Sequence, residues 1–375
     1  MQRAEMQAEA ERVMTICNAC RYCEGHCAVF PAMELRLAFT AADLDYLANL
    51  CHDCGACYHH CQYAPPHEFA VNVPRAFAEL RAETWQDYAW PAWLAGAFAR
   101  NALVTGLIAA ASLALTLLVA LLLVEPAVLL APQAGAGAFY AVIPHAVMVV
   151  GFGVVGLMVL LALIMGFRNF WAETGQPAAR LAHPGALGRA VLDVLTLRYL
   201  DGGAGDGCTW PTETPSQARR ICHHLAFYGF LLCFAATSVA TIDHYLFGWQ
   251  APYPWTSLPV VLGTLGGLGL LAGPAGLLWL KRESDPAVAD PRSAAGTAFT
   301  LLLMLTSLTG LLLLALRATP AMGILLVIHL GVVLGLFLTL PYGKFVHAIY
   351  RFAALVRFQL ERAPADDGPI AGDQR

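Results

Sequence analysis

The 375-residue chain is poor in charge: Asp, Glu, Lys and Arg make up 13% of it, whereas soluble globular proteins carry roughly 25%. The shortage is uneven, because residues 1–90 have the composition of a soluble domain and the rest contains long uncharged runs. A formal net charge of −4 leaves no basic surplus, which argues against nucleic acid as a partner. The 58% of hydrophobic residues therefore indicates a membrane protein with a soluble N-terminal region.

Several motifs are missing as well. The chain has no G-x-G-x-x-G loop, so a flavin or other dinucleotide cofactor should belong to a partner protein. It has no recognisable nucleophile constellation, which argues against hydrolytic chemistry. The N-terminus, Met1-Gln-Arg-Ala-Glu, is not followed by the apolar core of a signal peptide, so we expect the N-terminal domain to face the cytoplasm.

Cysteine is abundant instead, and eight of the eleven cysteines form two runs of identical spacing, C-x-x-C-x-x-C-x-x-x-C. This is the bacterial pattern for two [4Fe–4S] clusters, in which the fourth cysteine of each run serves the other cluster. We therefore expect one cluster to be held by Cys17, Cys20, Cys23 and Cys61, and the other by Cys51, Cys54, Cys57 and Cys27.

Two other uses of these thiols are zinc binding and disulfide formation. Zinc sites usually draw on two well-separated ligand pairs, and disulfide frameworks belong to small secreted domains, so both fit the doubled run less well. Cys208, Cys222 and Cys233 show no partner spacing and are expected to be ordinary packing or loop residues.

The segment between the cysteine runs predicts a helix. Thr40 is a good N-cap, Asp43 and Asp45 would fall in the first turn, and leucines recur at helical spacing. Strand-like alternation is missing from this region, so we expect an all-α fold whose N-terminal domain, residues 1–83, is a helical ferredoxin-like domain rather than the small βαββαβ type.

Residues 84–101 are expected to form an interfacial connector, because Trp85, Tyr88, Trp90 and Trp93 precede the first apolar run. A six-helix transmembrane bundle is predicted over residues 102–347, with a cytoplasmic loop at 167–222 and a cytoplasmic tail at 348–375. The predicted spans are 102–124, 142–166, 223–243, 258–280, 298–316 and 323–346. Glycines at small-x-x-x-small spacing in the fourth span, Gly263/Gly267 and Gly269/Gly273, predict close helix packing.

The distribution of basic residues predicts the orientation. Arg317 is the only Lys or Arg between spans on one side, whereas the other side is rich in both, so both termini should lie in the cytoplasm of a bacterial inner membrane. The residues on that basic side are Arg168, Arg180, Arg189, Arg198, Arg219, Arg220, Lys281, Arg282, Arg292, Lys344, Arg351, Arg357, Arg362 and Arg375.

Histidines near the ends of two predicted spans are candidate haem b ligands, because paired imidazoles from facing helices hold haem in a bundle. His223 is expected to pair with His347 at the cytoplasmic end, and His244 with His329 at the outer end, which gives one or two haems. His329 and His347 have the spacing of one face of a single helix.

Alternatives to this histidine assignment stay open. His224 could replace His223 at a distorted helix end, and His145 could join the outer pair or serve a quinone site. Asp243, beside His244, is a further proton-handling candidate.

Longer stretches give the chain a family resemblance. They are the double cysteine run, His223-His224-Leu-Ala-Phe-Tyr-Gly, His329-Leu-Gly-Val-Val and Pro341-Tyr-Gly-Lys344-Phe-Val-His347. Over nearly its whole length the chain resembles the tricarballylate utilisation protein B family, also called CitB-like. The resemblance implies a membrane partner of a soluble FAD-dependent tricarballylate dehydrogenase, which passes electrons from the flavin through iron–sulfur clusters to the quinone pool.

The expected function is therefore membrane electron transfer, from a partner flavin through two [4Fe–4S] clusters and haem b to quinone. The alternative is a cluster-bearing membrane redox sensor or anchor that does not reduce quinone. No output module of a sensor is visible in the sequence, which favours electron transfer.

Overall fold

The computed structural model describes residues 3–98, 101–200, 210, 214, 216–288 and 293–363, and these residues contain helices and no strand. Cys208, Arg292 and Arg375 lie outside the described residues. In chain order the helices are α1 (Arg3–Cys20), α2 (Val29–Glu34), α3 (Ala41–Leu50), α4 (Ala56–His59), α5 (Val73–Tyr88), α6 (Ala92–Ala97), α7 (Asn101–Leu123), α8 (Pro126–Leu130), α9 (Ala138–Val142), α10 (His145–Glu173), α11 (Pro184–Leu195), α12 (Ala218–Phe247), α13 (Leu258–Arg282), α14 (Ser293–Leu316), α15 (Met322–Thr339) and α16 (Val346–Glu361).

The all-α prediction is thus confirmed for the described residues. Helix α3 begins where the sequence indicated: the Thr40 hydroxyl accepts a hydrogen bond from the Asp43 amide, and the Asp43 carboxylate accepts one from the Thr40 amide in return. Helices α1, α3 and α5 pack against one another. They place the cysteines of both runs at helix ends and in the short loops between helices.

Among the described residues, six helices are long and apolar enough to cross a membrane: α7, α10, α12, α13, α14 and α15. This is the architecture of a multi-pass membrane protein. Two of them extend into the predicted cytoplasmic loop, because α10 continues to Glu173 and α12 already begins at Ala218. The predicted loop at 167–222 therefore holds one end of each of these helices and the whole of α11.

The expected aromatic belt is only partly present. Trp85 and Tyr88 belong to α5, whose buried face packs in the N-terminal domain, so the predicted boundary at residue 83 falls inside a helix. Trp85 Nε1 donates to Asn49 Oδ1 at 3.1 Å, and Tyr88 is buried. Trp93 in α6 is 75% exposed, as an interfacial residue would be. Trp85 and Tyr88 therefore belong to the N-terminal domain, although they lie close to the first span in the sequence.

Glycines bring α12 and α13 into close contact. A Cβ atom added to Gly269 would lie 2.9 Å from the Leu225 carbonyl oxygen, and one added to Gly229 would lie 2.9 Å from the Gly266 carbonyl oxygen. Gly263 has more room, since its added Cβ would meet only the Ala236 side chain at 3.6 Å. The predicted close packing is therefore confirmed for the pair Gly269/Gly273, since a Cβ added to Gly273 would lie 2.5 Å from the Ala226 amide nitrogen, and it does not hold for Gly263.

The sixth span ends earlier than predicted. Helix α15 stops at Thr339, a short turn follows, and a separate helix α16 begins at Val346. Pro341 lies in the turn, where it lacks the amide hydrogen that would continue the helix. The prediction that His329 and His347 share one helix is consequently wrong, because His347 lies in α16.

Helix α16 and the residues after it were expected to be a tail, but α16 packs into the N-terminal domain. Its residues Tyr350 and Phe358 join a core that also includes Phe77 of α5 and Phe170 at the end of α10. This single core ties the beginning and the end of the chain together at one end of the bundle. We call that end the proximal side and the opposite end the far side.

Candidate functional site

Two cavities in the N-terminal domain are each lined by four cysteines. Cysteine cavity 1 is lined by Cys17, Cys20, Cys23 and Cys61. Cysteine cavity 2 is lined by Cys27, Cys51, Cys54 and Cys57. This grouping coincides with the crossed pattern expected from the spacing, in which each run lends its fourth cysteine to the other. That these sulfurs hold clusters stays a prediction.

Local backbone geometry produces each cavity. Cys20 ends α1, and Arg21 then takes a left-handed conformation, with φ of 55°, that turns the chain toward Cys23. In the second run, Asp53 has φ of 56° and Gly55 has φ of 80°. Such left-handed residues reverse the chain within a few residues. Several sulfurs of one run can therefore face the same space.

The thiols are set in surroundings that disfavour free thiolates. Burial, together with the neighbouring sulfurs Cys23, Cys61 and Cys20, raises the pKa of Cys17 to about 12. Burial and then the sulfurs of Cys54 and Cys51 raise the pKa of Cys27 well above its ordinary value. Four thiolates gathered in such a place need positively charged metal to offset their repulsion, and coordination deprotonates thiols outright. The donor set therefore fits a bound metal centre.

The arrangement of the thiols distinguishes between a single zinc ion and an iron–sulfur cluster. Among the described residues, no three Cys, His, Asp or Glu side chains are gathered in a way that could hold a single metal ion. Four thiols arranged around an open cavity fit a multi-atom iron–sulfur cluster better than one tetrahedral zinc ion.

A pair of histidines lies at the proximal side of the bundle. The ring centres of His223 in α12 and His347 in α16 are 6.1 Å apart. Two metal–nitrogen bonds of about 2 Å, plus about 1 Å from each nitrogen to its ring centre, would place two imidazoles about 6 Å apart. The separation therefore fits two imidazoles that would hold one haem iron between them.

Hydrogen bonding leaves both rings of this pair able to act as ligands. His347 Nδ1 lies against the Lys344 carbonyl oxygen, which leaves Nε2 available. Burial, followed by the charge of Arg351, lowers the pKa of His347 well below its ordinary value, so the ring is neutral. His223 Nδ1 is buried and has no hydrogen-bond partner among the described residues.

Arg351 and His52 lie within electrostatic reach of both the histidine pair and cysteine cavity 2. Arg351 was predicted only as one of the basic residues of the cytoplasmic side, and no role was predicted for His52. Arg351 Nη2 donates to the Cys51 carbonyl oxygen at 2.7 Å, and His52 directly follows Cys51. Burial and then the charges of Arg351 and His223 hold the pKa of His52 well below its ordinary value. Arg351 follows His347 by one helical turn, and His52 follows a predicted ligand. Their positions next to predicted ligands are the only features of the sequence that could have indicated roles for Arg351 and His52.

His224 lies on another side of α12 from the histidine pair. Its ring is 5.8 Å from that of Tyr228, whose hydroxyl donates to the Leu195 carbonyl oxygen at the end of α11. The geometry therefore favours His223 over His224 as the partner of His347.

The far side of the bundle differs from the expected His244–His329 pair. His244 stacks on His145, with ring centres 3.9 Å apart, and the Tyr140 hydroxyl lies 3.4 Å from His244 Nδ1. His329 instead lies against α14, with its Nδ1 3.1 Å from the Thr309 hydroxyl oxygen.

Helix packing explains this difference. Helix α12 packs mainly against α13, whereas α15 packs mainly against α7 and α14. The structure thus does not bring His244 and His329 together. It instead pairs His244 with His145, which was named as an alternative.

Comparison with known proteins gives the family. Residues 97–367 match the family described as "Citrate utilization protein B". Residues 10–89 match "Citrate utilization protein B Fer4-like domain". The chain belongs to the citrate utilization protein B family. Family membership accounts for both the N-terminal cysteine domain and the helical bundle in one chain.

A relative of known name supports this membership. The "Citrate utilization protein B" of Escherichia coli is 54% identical over 371 residues, which cover 98% of this chain and 96% of that protein. No solved structure shows significant similarity to the chain. The Fer4-like domain supports the iron–sulfur prediction at the level of the domain.

Proposed function

We propose that the chain is the electron-transfer subunit of a membrane-bound oxidoreductase. In this proposal it takes electrons from a soluble FAD-dependent dehydrogenase, passes them through two [4Fe–4S] clusters and haem b, and delivers them to quinone. The clusters and the haem supply one-electron transfer when they are bound. The observation that carries the proposal is the contact between Arg351 and Cys51, because it places α16, the helix that carries His347, against a four-cysteine cavity.

Each redox centre in this proposal has its own set of ligands. The thiols of the two cysteine cavities would hold the clusters. His223 and His347 would hold one haem, since their rings have a suitable separation and both are half-buried. We propose a single haem rather than two, because the His244 ring stacks on His145 and the His329 ring lies against Thr309, so these two histidines are not paired.

The partners follow from the family and from the missing motifs. The relative in Escherichia coli is named for citrate utilization, and a related tricarboxylate is a reasonable substrate class for the partner dehydrogenase. Because this chain has no dinucleotide-binding glycine loop, the flavin would belong to that partner. The basic residues on the proximal side favour a cytoplasmic N-terminal domain in a bacterial inner membrane.

The first experiment analyses iron, acid-labile sulfide and haem in the purified protein and records its reduced-minus-oxidised optical spectrum. We expect two [4Fe–4S] clusters and the sharp bands of one haem b. Zinc in place of iron would refute the proposal. Clusters without haem, and without reduction of a quinone analogue, would favour a redox sensor or anchor instead.

The crossing of the fourth ligands has a separate test. Cys27→Ser should alter the paramagnetic resonance spectrum of the reduced cluster in cysteine cavity 2, and Cys61→Ser that of the cluster in cavity 1. The two variants are matched in chemistry and in position within their runs. An effect of Cys27→Ser confined to the cavity 1 cluster would show that the runs do not exchange ligands.

A further inference from the structure

The two cysteine cavities differ in the charges around them. The Cys17 and Cys23 thiols of cysteine cavity 1 have only other thiols as charged neighbours, since the guanidinium of Arg21, which follows Cys20, is turned to the Asn18 carbonyl oxygen. Beside cysteine cavity 2 lie two guanidinium groups, that of Arg81, which is buried, and that of Arg351, which is half-buried. Two centres with the same ligands are thus held in unequal electrostatic surroundings.

Both arginines bind the same backbone group of cavity 2. The Cys51 carbonyl oxygen accepts hydrogen bonds from Arg351 Nη2 at 2.7 Å and from Arg81 Nη1 at 3.1 Å. The carboxylate of Asp53 lies 3.3 Å from Arg81 Nη2. One carboxylate therefore faces two guanidinium groups, and a net positive charge stays next to the Cys51 sulfur.

Arg351 also has unused hydrogen-bonding capacity. Its Nε is buried and has no partner among the described residues, although the side chain lies within electrostatic reach of Asp53. A guanidinium is costly to bury without an anion. A cluster ligated by four thiolates is an anion, and it would supply the compensating charge from the cavity.

Such a charge acts on reduction potential. Reduction adds one negative charge to a cluster, and a fixed positive charge in a medium of low dielectric constant stabilises that added charge. The arginines should therefore make the cavity 2 centre easier to reduce than the cavity 1 centre.

Building on the proposed function, we propose that Arg351, with Arg81, makes the cavity 2 centre the higher-potential one and so sets the order of electron transfer. Electrons enter at cysteine cavity 1, whose neighbour Tyr22 is exposed at the surface of the domain. They settle at cavity 2, which lies against α16, the helix that carries both Arg351 and His347. Arg351 thus acts on the cluster through its positive charge and is not one of the cluster ligands.

The test is a redox titration of the purified full-length protein, followed by paramagnetic resonance, with the two signals assigned from Cys27→Ser and Cys61→Ser. In the unmodified protein the cavity 2 signal should have the higher midpoint potential. Arg351→Gln should lower that potential and leave the cavity 1 signal in place. Arg351→Lys keeps the charge and should restore most of the difference.

Two further variants complete the test. Arg362→Gln removes the same charge from an exposed position past the end of α16 and should move neither potential. Asp53→Asn removes the opposing negative charge and should raise the cavity 2 potential. Asn tolerates the left-handed backbone at this position, so Asp53→Asn decides the matter if Arg351→Gln fails to retain its cluster.

A higher potential at cavity 1 in the unmodified protein would overturn the inference. So would a cavity 2 potential that responds to neither Arg351→Gln nor Asp53→Asn. In both cases the proposed function could still hold. A protein without iron and sulfide would instead refute the proposed function itself, and the inference with it.

Discussion

Removing the carboxylate of Glu361 should loosen the attachment of the C-terminal helix to the N-terminal domain. Glu361 Oε1 lies 2.5 Å from Arg36 Nη2 in the N-terminal domain and 3.0 Å from Arg357 Nε in its own helix. Asp43 Oδ1 lies 2.7 Å from Arg36 Nε and 3.1 Å from Arg357 Nη2. Two guanidinium groups and two carboxylates thus form one network between the ends of the chain.

The magnitude follows from the burial of this network. The side chains of Arg36 and Arg357 are only 8% and 9% exposed. Breaking a buried ion pair by removing one partner costs about 3–5 kcal/mol, because the remaining charge is left uncompensated. Asp43 would still face both arginines in Glu361→Ala, so we expect the lower end, about 3 kcal/mol.

The assay is thermal unfolding of the detergent-solubilised protein. A loss of about 3 kcal/mol corresponds to a decrease of about 4 °C in the melting temperature of a 375-residue chain, whose unfolding entropy is about 0.8 kcal/mol/K. The control is Glu9→Ala, which breaks the pair with Arg12, whose side chains are 40% and 42% exposed. That change should cost about 0.5 kcal/mol or less. Equal effects of the two variants would refute the idea that α16 anchors the N-terminal domain through Glu361.

Three further predictions test the bundle and its site. Gly269→Ala should be less stable than Gly263→Ala by about 1–3 kcal/mol. Both variants gain the same helix propensity, but only Gly269→Ala forces a Cβ atom against the backbone of α12. Equal melting temperatures of the two variants would contradict the close contact of α12 and α13. His347→Ala should abolish the haem b bands while His329→Ala retains them, and the opposite result in paired optical spectra would refute the assignment. A reporter fused after Arg375 should be active only if it is of a cytoplasmic type, and periplasmic activity would mean a miscounted span.

Features set by neighbours in the sequence could be predicted. Thr40 and Asp43 form the expected capping box because both partners lie within one turn of chain. The apolar runs gave the six long helices, since a bilayer imposes a minimum length on each. Pro341 indicates that α15 ends before His347, but the apolar residues on both sides of it led to the prediction of one continuous span.

Pairings across helices could be predicted only in part. His223 and His347 come together although the argument for them assumed one continuous sixth helix. His244 lies with His145 and not with His329, because periodicity gives the face of a helix but not its neighbour. Which helices pack together depends on side-chain shape along their whole length, for example on Gly229 against Gly266.

The sequence by itself determined the chemistry that is available: eight thiols at a spacing typical of two iron–sulfur clusters, and apolar segments long enough to span a bilayer. Both are local properties, because ligand spacing and span length are fixed within short stretches of chain. Only the tertiary structure decided that α16 returns to the N-terminal domain and that Arg351 reaches the Cys51 carbonyl group. These residues are 300 positions apart, so their contact exists only once the buried core and the ion-pair network have joined the two ends of the protein.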